Sequence, residues 1–127
     1  MEMQYTGGCL CGKIRYATDA DPVFCGNCHC KDCQRTSGGP FIPAMVFPKA
    51  AFAITGSPKY FTSTADSGRT IGRGFCPDCG SQLFSQLEFM PDMIAVKAGT
   101  LDVGGAGEKS TPGIGGPGGV LDSRWRP

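Results

Sequence analysis

The sequence predicts a mainly β domain of several small antiparallel sheets held together by metal. Three observations carry that expectation. Short apolar or alternating segments follow one another between Gly, Pro, Ser and Asp punctuation. No window shows a long helical period. Eight cysteines in a chain of 127 residues fall in closely spaced groups. Cysteines one or two residues apart do not readily bond each other, but they can hold one ion.

The elements follow in order. Strands are expected at "MQYT", "KIRYA", "AMVF", "FAIT", "KYFTS", "RTIGRGF", "SQLFSQL" and "MIAVKAG". In "KIRYA", Ile14 and Tyr16 share one face while Lys13 and Arg15 share the other. One short helix is expected from about Cys30 to Thr36. Phe41, Phe47, Phe52, Phe61, Phe75 and Phe84 are expected in the core. From Val103 the composition turns Gly- and Pro-rich without periodicity. The predicted organisation is therefore a zinc-binding domain over residues 1–102 and a flexible tail over 103–127. Trp125 is an incidental residue of that terminus.

Composition excludes several function classes. Twelve Lys+Arg balance eleven Asp+Glu, for a formal net charge of +1. That leaves no basic footprint for nucleic acid. No run reaches the roughly 18 apolar residues of a membrane span, and the N-terminal segment lacks the apolar core of a secretory signal. A cytoplasmic location is expected. In that reducing setting, clustered thiols imply metal rather than disulfides. The C-x-C spacings do not match ferredoxin patterns, which disfavours an iron–sulfur centre.

The cysteines sort into two groups. "CLCG" and "CPDCG" are knuckles, each closed by a glycine and far apart in the chain. Cys9, Cys11, Cys76 and Cys79 together make a tetrahedral four-thiolate site, the closed form typical of structural zinc. Cys28, Cys30 and Cys33 make a three-thiolate site. Its fourth position is left open, filled by Cys25, or filled by His29. As neighbour of two ligands in extended chain, His29 suits a packing or proton-handling role better than direct ligation.

"GGCLCGKIRY", "CHCKDCQRTSG" and "RGFCPDCGSQLF", in this order and spacing, resemble the glutathione-dependent formaldehyde-activating family, which includes centromere protein V. The resemblance spans roughly residues 5 to 100. It implies a β-tent fold of small coiled antiparallel sheets. It also implies two zinc ions per chain: a structural one on Cys9, Cys11, Cys76 and Cys79, and a catalytic one on Cys28, Cys30 and Cys33. The implied activity is a carbon–sulfur lyase resembling S-(hydroxymethyl)glutathione synthase, joining glutathione or a related thiol to formaldehyde or another aldehyde. Glutathione has two carboxylates, and Arg35 is the expected cation for one of them, with Arg73 and Lys31 as ordinary surface charges. Past Asp102 the chain departs from the family, whose further structured segments include a tryptophan-containing stretch. This departure predicts a zinc-binding chain with weak turnover. Alternative functions are a non-catalytic zinc-binding module and a thiol redox sensor based on Cys25.

Overall fold

The computed structural model describes residues 4–102. The predicted tail, its boundary and Trp125 lie outside the described residues. Nine strands and one α-helix are found among them: β1 (Tyr5–Gly8), β2 (Arg15–Thr18), β3 (Phe24–Cys28), α1 (Lys31–Ser37), β4 (Ile42–Pro48), β5 (Phe52–Thr55), β6 (Lys59–Thr64), β7 (Thr70–Phe75), β8 (Gln82–Leu87) and β9 (Met93–Lys97). The fold is mainly β, as expected, and every strand pairing is antiparallel. A three-stranded sheet runs in the order β1-β2-β5, and a six-stranded sheet runs β3-β4-β9-β8-β7-β6. No helix among the described residues is long and apolar enough to cross a membrane.

Alternation builds the core between the sheets. Ile14 and Tyr16 are almost fully buried, whereas Lys13 and Arg15 are exposed. Tyr16 stacks on Phe52 at 5.2 Å and meets Phe84 edge-on at 5.5 Å, which bridges the smaller sheet to the larger one. Phe47, Phe84, Met45, Ile94 and Val96 supply the larger sheet's share of that core. Strand partners directly opposite one another share a face. The registers Cys25↔Met45, Phe84↔Val96 and Met45↔Val96 therefore put Cys25 on the core side of the six-stranded sheet. By the same argument, Cys28↔Ile42, Ala44↔Lys97 and Arg73↔Ser85 put Cys28, Lys97, Arg73 and Ser85 on the opposite face.

Two elements differ from expectation. β3, "FCGNC", was not among the expected strands. Its Gly, Asn and Cys carry little strand propensity, and it forms because all five residues pair with β4. The first strand sits later than "MQYT", at Tyr5–Gly8, because its two glycines pair with Tyr16 and Arg15 before the knuckle turns. Phe61 is a further departure. It is 64% exposed on the edge strand β6 rather than buried in the core.

Candidate metal and substrate site

The first cysteine group joins two distant turns. Cys9, Cys11, Cys76 and Cys79 present sulfurs that all lie within 4.8 Å of one another. The Cys9–Cys11 and Cys11–Cys76 sulfur separations are 3.6 and 3.8 Å. A tetrahedral zinc with bonds of about 2.3 Å requires sulfur–sulfur edges of about 3.8 Å, so this donor set fits such an ion. Each knuckle folds back through its glycine. Gly12 N–H donates to Cys9 O at 3.2 Å and Gly80 N–H donates to Cys76 O at 2.8 Å. Both glycines take left-handed backbone, with φ of 83° and 78°, a region unfavourable for residues with a Cβ. Ile14 N–H donates to Cys9 Sγ at 3.3 Å. The Lys13–Asp78 ion pair at 3.1 Å and the Leu10 N–H to Ser81 Oγ bond at 3.0 Å link the two knuckles directly. Hydrogen bonds from the Ser81 hydroxyl and amide lower the Cys79 thiol to about 5, favouring the thiolate a metal needs.

The second group is built where β3 runs into α1. Cys28 ends β3, Cys30 is the N-cap of α1, and Cys33 lies in its first turn. Their sulfurs also fall within 4.8 Å of one another. Extended backbone at Cys30 (φ −65°, ψ 157°) turns its sulfur back, and Cys33 N–H donates to it at 3.4 Å. Cys30 is exposed, while Cys28 and Cys33 are half-buried, so one side of the triad faces solvent. Burial first, and then the neighbouring Cys28 and Cys30 sulfurs, push the Cys33 thiol up to about 12. Three adjacent thiols resist ionising together without a cation among them, and a bound cation would favour their thiolate forms.

Cys25 and His29 lie outside this triad. Cys25 packs against the core on the other face of β3, where burial pushes its thiol up. His29 sits between two of the cysteines in the chain, and its ring lies 5.2 Å from that of Phe41. Arg35 is exposed in the last turn of α1. A spacing of two residues from Cys33 puts it on a different side of the helix. Lys31 is exposed as well.

The structure brings two other cations to the triad's face. Arg73 is 8% exposed, and its guanidinium donates to Ser63 Oγ at 2.8 Å. It is thus not the surface charge expected from the sequence. Lys97 was not singled out in the sequence; its ammonium donates to Ser85 Oγ at 2.7 Å. Both had a signal. Arg73 shares strand parity with Ile71 and Phe75, and Lys97 with Met93 and Ala95, so each charge stands in an otherwise apolar row.

A crystal structure of a protein from Rhodobacter sphaeroides shares the fold, with a TM-score of 0.59 and 19% sequence identity, over 76% of this chain and 87% of that one. No curated protein matches the chain significantly. The family model described as glutathione-dependent formaldehyde-activating enzyme matches residues 4–113. With both cysteine groups and every described element inside that match, the chain belongs to the glutathione-dependent formaldehyde-activating enzyme family.

Proposed function

We propose that the chain is a zinc-dependent carbon–sulfur lyase that interconverts formaldehyde and glutathione, or a related aldehyde and thiol, with their S-hydroxymethyl adduct. The single observation that carries this reading is the difference between the two cysteine groups: four clustered thiols in one and three in the other. Cys9, Cys11, Cys76 and Cys79 form the closed structural set, and Cys28, Cys30 and Cys33 form the set with a vacancy for substrate. When bound by three thiolates, zinc supplies a Lewis-acid contact and stabilises a substrate thiol as its thiolate.

The remaining work falls to the chain. In the synthetic direction a sulfur–carbon bond forms, the carbonyl π bond breaks, and the thiol's proton ends on the new hydroxyl; nothing is oxidised. Cys28 and the first turn of α1 orient the site, because β3 and the helix fix their ligands independently. We assign the proton transfer to His29, which adjoins Cys28 and Cys30 in the chain and packs its ring 5.2 Å from that of Phe41. Arg73 and Lys97 add positive potential on the same face, favouring an anionic thiol substrate.

Two measurements on the full chain test the proposal. Zinc content is expected at two ions per chain, and mixing with glutathione and formaldehyde is expected to form the adduct faster than the uncatalysed reaction. Replacing Cys30 with Ser should lower both zinc content and turnover. If neither changes, the assignment of the second group is wrong. A closed, non-catalytic site or a Cys25-based redox switch is less well supported, because Cys25 faces the core.

A further inference from the structure

On the triad's face Arg73 is buried and Lys97 half-buried, and neither is paired with a carboxylate among the described residues. The ion pairs among the described residues are Lys13–Asp78 and Arg15–Asp102, and neither involves Arg73 or Lys97. The side-chain hydrogen bonds of Arg73 and Lys97 go to the neutral hydroxyls of Ser63 and Ser85. A guanidinium stays charged at any ordinary pH and offers five donors, of which that serine takes one. Burying such a group with donors left over is costly, and an anion with oxygens to accept from them would offset that cost.

The surroundings say which kind of anion fits. Arg73 lines a cavity of about 370 Å³ and Lys97 an adjoining one of about 410 Å³, and Gly80 and Gln82 border both. The cavities run past the C-terminal end of α1, where Thr36 lines one and Ser37 the other. Gln82 Nε2 donates to Thr36 O, which fixes the amide's orientation. Its Oε1 is then left buried with no hydrogen-bond partner among the described residues. Arg73 and Lys97 share the sheet face of Cys28, and the Gln82 bond ties that face to α1, whose first turn carries Cys33.

We propose that Arg73 and Lys97 form a carboxylate subsite beside the Cys28–Cys30–Cys33 group, with Gln82 Oε1 accepting from an N–H of the same ligand. The ligand class is an amino-acid or peptide thiol whose sulfur reaches the triad while its carboxylate meets the two cations. Arg73 supplies paired donors suited to a carboxylate, and Lys97 adds a point charge. This subsite rests on the reading of the triad as a substrate site, but it is independent of which aldehyde is used.

The test uses two probes that differ only in charge, N-acetylcysteine and N-acetylcysteine amide, titrated calorimetrically into the zinc-loaded full chain. The wild-type chain is expected to bind the carboxylate about tenfold more tightly than the amide. Arg73→Met and Lys97→Met should each remove most of that preference, read within each variant as the ratio of carboxylate to amide affinity. Lys97→Arg, which keeps the charge, should retain the preference even if a Met variant folds poorly. Equal affinities, binding of neither probe, or a preference that survives both Met variants would overturn the subsite. A preference without glutathione–formaldehyde turnover would support the subsite and remove the lyase reading; turnover without the preference would do the reverse.

Discussion

At the scale of residues, the two cysteine groups differ in how their neighbours prepare them. Ser81 lowers the Cys79 thiol to about 5, whereas burial raises the Cys33 thiol to about 12. The four-cysteine group also holds a raised thiol, Cys11, pushed up to about 11. Metal binding to either group must therefore displace a tightly held proton. Zinc affinity at both is expected to fall as pH is lowered, measurable by zinc release against a chromophoric chelator, and pH-independent affinity at either would contradict this account. His29 is assigned a proton and not a metal bond. His29→Gln should thus slow turnover by about 10²-fold or more with zinc content unchanged; loss of one zinc would make it a ligand instead. Cys25→Ser should keep both zinc content and turnover, since the thiol it removes packs in the core. Sequence spacing made the seven ligand candidates legible, because knuckle geometry is local. Arg73 and Lys97 were harder to read, since their roles depend on β7, β8 and β9 lying side by side.

At the scale of elements, local signal and tertiary pairing divide the credit. β5 was legible to the residue, "FAIT" at Phe52–Thr55, because it alternates and is bounded by turns. α1 was legible from the cysteine spacing and begins one residue later than expected. β3 was not legible, because only β4 gives "FCGNC" its extended shape. That strand nevertheless sets the site, since its alternation sends Cys25 to the core and Cys28 to the triad. Packing at the core is equally specific: Phe84 touches both Tyr16 and Phe52, so Phe84→Ala should cost about 3–5 kcal/mol by denaturant unfolding. The described chain is closed by Asp102, which accepts from Arg15 and from Thr6 Oγ1 on the first two strands. The Arg15 guanidinium first, then Thr6, hold the Asp102 carboxyl below its ordinary value. Its contribution is therefore present above the unfolded-state value and disappears as pH falls through the folded one. Solvent screening limits Asp102→Asn to under about 1 kcal/mol near neutral pH, and to nothing in strong acid.

At the scale of the whole molecule, the proposed function divides labour between the two cysteine groups, one holding the fold and the other handling substrate. The four-cysteine group ties the N-terminal turn to the β7–β8 turn, across more than half of the described chain. A metal held there would carry folding free energy, and a strong chelator should then unfold the chain cooperatively. The triad joins only adjacent elements, so losing its metal should leave the sheets intact. The central claim is that the triad keeps a position for a substrate thiol. It is tested most directly by titrating glutathione into the cobalt-loaded full chain and following thiolate-to-cobalt absorption. The account predicts a saturable rise in that band, corresponding to one added thiolate per chain and absent in Cys30→Ser. A spectrum unchanged by glutathione, with both sites loaded, would contradict it.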